Sequence, residues 1–368
     1  MPKKSLAQFQ HDIAVIFQRG MYKGSKKEAS GKFRNEHTFS RETTKNYASI
    51  ARDFANFVYD KYGISDLSFL KAIHGQAFIE RAIERFQSGE LAAGSPKTYT
   101  HALDKLQNMA RAQTGSRIRV INKDAMLARA KEVGAVRRFE DGHKGRIITW
   151  AEAGQMVEIL AETRSPNHTV FSELARFGME TGARPSSALR LQVRDINVAR
   201  NAVEFNGDKG GKSRIVMELN PDYVRSLAKM IEGKAPGRQV FEVHRRDGNL
   251  HKIEDARRIA ENLYARHAEK VGLAGANYQS QRKAFANFRY NQYQQTNYKA
   301  LERDLAQRMK DSPQLARKMD RLENESGARH GAGRHYSHTQ LAKILVSIDL
   351  GHERLDVLRF YLAPEGGA

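Results

Sequence analysis

The residues of this chain with chemistry to offer are cations and one phenol, set in short, well-separated motifs. Arg184 closes Thr181-Gly182-Ala183-Arg184, and Lys209 sits in the Gly-rich turn of GDKGGKSRIVMEL. Arg282 lies in QSQRKAF, His352 closes Ile348-Asp349-Leu350-Gly351-His352, and Tyr361 follows nine residues later in RFYLAPEGGA. Other chemistries lack their residues. Cysteine is absent, which removes disulfide scaffolds, thiolate zinc sites and cysteine nucleophiles together. Neither a His-Glu-x-x-His helix nor a Gly-x-Ser-x-Gly elbow occurs. Asn206 to Ser213 nearly matches a phosphate-binding P-loop, but Asn206 stands where its first glycine belongs. That segment also leads into a strand, where a P-loop needs a helix N-terminus to hold phosphate. His330, His335 and His338 are spaced irregularly in a Gly-rich stretch without the i, i+4 geometry of a helical metal site. They read as exposed loop histidines, and no metal or other cofactor is expected.

Fixed cations suit an anion, and the whole chain repeats the message. Lys and Arg total 62 against 42 Asp and Glu, a formal charge of +20. Solubility requires no such excess, and self-repulsion destabilises the compact state. A polyanionic partner accounts for it, nucleic acid being the commonest. Hydrophobic residues make up 40 % of the chain, enough for ordinary cores. No apolar run approaches the roughly 18 residues of a membrane span, and MPKKSLAQFQ lacks the apolar stretch of a signal peptide. A cytoplasmic, nucleoid-associated protein without membrane contact is expected.

The length of 368 residues suggests two or three domains. Residues 1–38 read as a basic N-terminal arm holding a short helix, interrupted by Gly20, Gly24 and Gly31. Residues 39–134 read as an all-α domain. Tyr47, Ile50, Phe54, Phe57 and Val58 mark its first helical face, ended by Gly63, and Phe78, Ile79, Ala82, Ile83 and Phe86 mark the second. Ser95-Pro96 opens a third as a cap and first-turn proline, and a fourth spans about Lys123 to Val133. Residues 135–148, basic and aperiodic, read as a linker. The second domain, 149–368, opens with Thr149 and Glu152 as a capping box. Helices are expected around Val170 to Met179 and Pro185 to Leu191. Ala202 to Phe205 and Arg214 to Leu219 form the one convincing strand pair, with a further short strand at Gln239 to Val243. The rest reads as helical, so the fold class is mainly α with a small antiparallel sheet.

In this order, TGAR, KGGKSR in a hairpin, a helix-opening arginine, LGH and a terminal tyrosine, the chain resembles the tyrosine recombinase (phage integrase) family. Each motif alone is weak; together, at the end of a strongly basic chain, they are specific. The resemblance spans roughly residues 40–365. It implies a helical, SAM-like core-binding domain and a mostly α catalytic domain that close as a C-shaped clamp on DNA. It also implies double-stranded recombination sites as substrate, a homo-tetramer on DNA, and strand exchange of a mobile element through a four-way junction, with room for accessory DNA-bending or directionality factors.

The resemblance assigns roles. Tyr361 is the nucleophile that stores a phosphodiester bond as a 3′-phosphotyrosine. Arg184 and Arg282 stabilise the phosphate as charge grows on it. Lys209 protonates the leaving oxygen, with Lys212 as the fallback acid, and His352 hydrogen-bonds the phosphate. Lys212, Arg214, Arg137, Arg138, Lys144 and Arg146 read as DNA-backbone contacts. Three departures stand out. Gln279 occupies the position where the family has His or Lys, and it can donate a hydrogen bond without exchanging a proton. Ser187 replaces the family's acidic residue. Arg282 and His352 are 70 positions apart, so residues at about 290–335 read as an insertion that either contacts DNA or a neighbouring subunit, or stands in solvent. The insertion supplies a rival second arginine, Arg334, but only 18 positions separate it from His352, too few for two packed helices. The departures keep alive a recombinase-like protein that only binds DNA; a topoisomerase-like nicking-closing enzyme is the other alternative.

Overall fold

The structure is a computed structural model describing residues 4–22, 31–115, 117–135, 146–208, 212–312, 315–316, 319, 336–352, 355, 357–358 and 361–363. The chain divides into two compact units, Met1–Gly142 and His143–Ala368.

The first unit is all helical: α1 (Leu6–Arg19), α2 (Gly31–Glu36), α3 (Arg41–Tyr62), α4 (Ala72–Gln87), α5 (Ser95–Thr114) and α6 (Lys123–Glu132). Helix α3 starts where the Ser40 hydroxyl accepts a hydrogen bond from the Thr43 amide at 3.1 Å, and it stops at Gly63 in the left-handed region (φ 66°). Its apolar stripe, Ile50, Phe54 and Val58, packs with Ile79 and Ile83 of α4 and with Leu103 and Leu106 of α5. Two sequence expectations change here. Gly94, not Ser95, caps α5, which places Pro96 in the first turn as expected. Helix α1 buries Phe9, Ile13 and Phe17 in the same core, so packed structure begins well before residue 39. Apolar residues at helical spacing need a partner face, and α3 supplies it. Residues 23–30 lie outside the described residues.

The second unit contains α7 (Trp150–Ala161), α8 (His168–Thr181), the short α9 (Pro185–Ala188), β1 (Ile196–Asn197), β2 (Ala202–Asp208), β3 (Lys212–Val216), α10 (Pro221–Ile231), α11 (Ile253–Lys270), α12 (Tyr278–Gln295), α13 (Tyr298–Asp311) and α14 (His338–Asp349). The capping box at Thr149 and Glu152 is present, with bonds of 3.1 Å and 2.7 Å. The sheet is antiparallel in the order β1-β2-β3, with Val203 opposite Val216 and Phe205 opposite Arg214. Strand β1, two residues long, carries too little pattern to be read from sequence. Gln239 to Val243 is not a strand. Val240, Phe241 and Val243 are buried, but Gln239 makes only an isolated bridge to Gln192, so the apolar residues mark packing rather than a ladder.

Helix α12 is the centre of this unit, packing against α7, α8, α11 and α14. Besides Tyr278, Phe285 and Tyr293, it buries four consecutive polar residues: Ser280, Gln281, Arg282 and Lys283. Gln281 meets its burial with 3.1 Å bonds to the Ala153 carbonyl and the Tyr264 hydroxyl. The stretch read as an insertion begins inside this helix, which runs on to Gln295. Helix α13 then buries Leu301, Leu305 and Arg308 along one face. Most of residues 313–335, including His330, Arg334 and His335, fall outside the described residues.

Candidate functional site

Four motifs distant in sequence meet around Arg282, on the second turn of α12. The turn Thr181-Gly182-Ala183-Arg184 ends α8, and Gly182 takes φ 61°, a conformation that disfavours any side chain. A Cβ there would also lie 2.5 Å from the Phe285 ring, so the glycine permits α12 to approach closely. The carbonyl thus presented by Gly182 accepts a hydrogen bond from Arg282 Nη1. Arg282 Nη2 bonds the Leu350 carbonyl and lies 3.2 Å from His352 Nε2. Gly351, at φ 63°, ends α14 and turns His352 back, with the His352 amide bonded to the Ser347 carbonyl at 2.9 Å.

Tyr361 closes the site. Its ring centroid is 4.8 Å from that of His352 and 5.5 Å from the Arg282 guanidinium. Gln279, one turn before Arg282, donates from Nε2 to the Tyr361 hydroxyl at 3.2 Å. Asn287 holds the backbone on the other side, donating to the Tyr361 carbonyl at 2.7 Å and accepting from the Ala363 amide at 2.7 Å. Sequence reasoning missed Asn287. Its only signal is a polar residue five positions after the arginine, on a helix face that the apolar pattern assigns to packing.

The electrostatics of Arg282 are unusual. It is fully buried, and among the described residues no carboxylate pairs with it. Burial first, then the neighbouring charges of Arg184 and Arg214, push its pKa down to about 9, against the opposing pull of Tyr361. Its Nε–H is buried without a partner among the described residues. A guanidinium in this condition has donor capacity and charge left for an anion.

Arg214, expected on the DNA backbone, is buried, with Nη1 bonded to the Thr181 carbonyl at 3.2 Å and to the Asp349 carbonyl. Its guanidinium lies 4.0 Å from the centroid of the Phe205 ring. It faces inward because its cross-strand partner Phe205 does. Arg146 also spends its side chain on protein: Nη1 reaches the Gly272 carbonyl at 2.9 Å and Nη2 lies 3.7 Å from Glu152. Arg184 is half-buried at the start of α9. Lys209, Arg137, Arg138 and Lys144 lie outside the described residues, and Lys212 is placed by its backbone alone, opposite Asp208.

No group of three or more His, Asp or Glu among the described residues could hold a metal, and no described helix is long and apolar enough to cross a membrane.

No protein-family model matches the sequence, and no curated protein matches it. Solved structures do match. XerH site-specific recombinase bound to a palindromic difH substrate is 15 % identical over 98 % of this chain and 93 % of that one, with a TM-score of 0.57. The Tn1549 transposon integrase in complex with transposon right-end DNA is 11 % identical over 96 % of this chain and 95 % of that one, at a TM-score of 0.50. A lambda integrase tetramer bound to a Holliday junction is 13 % identical over 79 % of this chain and 71 % of that one, also at 0.50. Taken with a mainly α unit carrying a small three-stranded antiparallel sheet, these matches show that the chain has the tyrosine recombinase fold.

Proposed function

We propose that the protein is a site-specific DNA recombinase that cuts and rejoins duplex DNA through Tyr361. The observation that carries the reading is the meeting of Gln279, Arg282, His352 and Tyr361. Their closest contacts join residues 82 and 70 positions apart in sequence. A phenol aimed by one donor, beside a buried cation that has no carboxylate partner among the described residues, is an arrangement for attack on an anionic ester.

The chemistry runs as a substitution at phosphorus. The Tyr361 oxygen, losing its proton to solvent, bonds to the phosphorus as the bond to the 5′ oxygen breaks, leaving a 3′-phosphotyrosine and a 5′ hydroxyl. Arg282 and Arg184 bind the non-bridging oxygens, and their attraction grows with the charge of the transition state. His352 adds a hydrogen bond to the same oxygens. Gln279 orients the Tyr361 oxygen and exchanges no proton. Lys209, which lies between β2 and β3 in sequence, is the acid for the departing 5′ oxygen, with Lys212 next in line. A 5′ hydroxyl from a second strand then attacks the phosphotyrosine and frees Tyr361, so the bond energy is conserved. Two DNA sites held by a tetramer, exchanged one strand pair at a time, give integration or excision of a mobile element. Arg137, Arg138 and Lys144 contribute the sequence-independent grip on phosphates.

The test uses nicked duplexes with a randomised 30-base-pair core. Cleavage near the nick releases a short strand and traps the covalent complex. Denatured complexes from the wild type should carry an enriched core sequence, and Tyr361→Phe should carry none. Absence of adduct despite tight DNA binding leaves the binding-only reading. Relaxation of supercoiled plasmid without exchange between two labelled duplexes leaves the topoisomerase-like one.

A further inference from the structure

Helix α13, within the stretch read as an insertion, has no part in the chemistry above, yet it delivers a buried charge to the turn that carries His352. We propose that Arg308 is a positioning residue for His352, acting through Asp349, and that the insertion braces the site from within the protein. This rests on the recombinase reading.

Asp349 is the last residue of α14, three positions before His352, and it is fully buried. Its carboxylate accepts from Arg308 Nη1 at 2.6 Å, from Arg289 Nε at 3.1 Å and from the Tyr293 hydroxyl at 2.8 Å. The Tyr293 oxygen in turn accepts from Arg289 Nη2 at 2.6 Å and Arg308 Nη2 at 3.0 Å. Arg308 Nε is tied to Asp304 of its own helix at 2.8 Å. Burial alone would raise the Asp349 carboxyl; Arg308 and Arg289 outweigh it and hold the group below its ordinary value. Burial would likewise lower Arg308, and Asp349 drives it well above its ordinary value instead.

The same turn is clamped from its other side. The Asp349 carbonyl accepts from Arg214 and the Leu350 carbonyl from Arg282. The segment from Asp349 to His352 is therefore held by two arginines at its backbone carbonyls and two at the Asp349 carboxylate. Helix α13 is fixed at its far end too. Tyr298 donates to the Tyr336 carbonyl at 3.0 Å, and His338 Nε2 lies 2.8 Å from the Thr296 carbonyl. A helix pinned to α14 at both ends, with Leu301 and Leu305 buried between, transmits position rather than standing in solvent. The His352 imidazole is placed by the turn and by Arg282, so loosening Asp349 loosens both partners of the 3.2 Å contact between them.

The experiment measures single-turnover cleavage at saturating DNA, using a duplex captured by the wild type from the randomised library. Arg308→Gln removes the charge at similar length, and Tyr293→Phe removes only the shared hydroxyl, a change small enough for the fold to survive. Thermal melting identifies the temperatures at which each variant is folded. The expected result is a cleavage rate reduced about tenfold in Arg308→Gln, which corresponds to about 1.4 kcal/mol, with DNA affinity unchanged. Arg308→Lys should restore part of the rate. In a His352→Ala background, Arg308→Gln should cause little further loss, because the two act through one group. A brace that serves only the fold lowers the melting temperature but leaves the rate of folded protein unchanged. That outcome, or a loss fully additive with His352→Ala, overturns the proposal. If the wild type itself forms no adduct with any library member, the recombinase reading has failed first.

Discussion

Replacing Asp349 by asparagine keeps the shape of the side chain and removes the one charge that two buried guanidiniums share. Breaking a buried ion pair from one side costs about 3–5 kcal/mol, because the remaining charge is left unpaired in a medium that solvates it poorly. Here the variant leaves Arg289 with one carboxylate among the described residues, the exposed Glu218 at 3.9 Å. Arg308 keeps Asp304, 2.8 Å from its Nε and partly exposed, so the cost stays in that range rather than doubling. For a unit of this size, each kcal/mol lowers the melting temperature by about 2–4 °C, so the expected drop is roughly 6–20 °C. Arg308→Gln, which leaves Asp349 paired with Arg289 at 3.1 Å, should cost clearly less.

The pH dependence gives an independent check. The folded carboxyl of Asp349 lies below its ordinary value, with burial opposing and the two arginines prevailing. The stability it confers is therefore complete above the unfolded value near about 3.9 and is lost as pH falls through the lower folded value. Urea unfolding of wild type and Asp349→Asn should differ equally at pH 7 and pH 5, and converge only below about pH 4. A cost under about 1 kcal/mol, the level of an exposed pair, would refute the argument. So would convergence of the two curves between pH 7 and pH 5.

Three further outcomes follow from the same geometry. Arg282→Met should abolish cleavage yet change stability by no more than about 2 kcal/mol, because relief of an uncompensated buried charge offsets the lost bonds to the Gly182 and Leu350 carbonyls; a cost matching Asp349→Asn would contradict this. Gly351→Ala should destabilise more than Gly89→Ala: both have positive φ, costing about 1–2 kcal/mol, but only at Gly351 does a new Cβ meet a neighbour, 2.7 Å from Arg214 Cδ. Equal melting temperatures for the two variants would remove the close contact from the account. Lys283, buried beside Arg282, has its pKa lowered to about 8 by burial. The unfolded chain then binds the extra proton, so wild-type stability should rise relative to Lys283→Met as pH climbs from about 8 towards 10.4.

The parts of this fold that were legible in sequence are those written in apolar spacing and turn chemistry. Phe54, Val58, Ile79 and Leu103 announce their helices by period, Gly63 by its stop, and Thr149 with Glu152 by their reciprocal cap. Motif order singled out Arg282, His352 and Tyr361, and the structure brings these three side chains together. What stayed hidden depends on tertiary burial of polar residues. QSQRK has the composition of a solvated face, yet four of its residues, Ser280 to Lys283, are buried, because α12 is surrounded by other helices and its polar groups find partners only after folding. Arg308 sits among charges every few residues, and nothing in that spacing distinguishes the one guanidinium that turns inward. The burial of Arg214 was hidden for the same reason. In a basic hairpin the default is a surface charge, whereas its register opposite Phe205 points it at the core.

Two arginines on one helix show how charge is allotted. Arg282 and Arg289 are two turns apart on α12, equally buried, and both reach the end of α14. Left to itself, a buried guanidinium takes the closest available carboxylate, and Asp349 lies on the same turn whose carbonyl Arg282 bonds. An ionised carboxylate offers about four acceptor sites, and Arg289, Arg308 and Tyr293 already fill three of those on Asp349. Arg308 of α13 thus shares the Asp349 carboxylate with Arg289, while Arg282 is held by the Gly182 and Leu350 carbonyls. The pKa directions record the division, with Arg282 pushed down to about 9 while Arg289 and Arg308 are raised. The two guanidiniums of one helix are thus left in opposite states, one paired with a carboxylate and the other held by two backbone carbonyls.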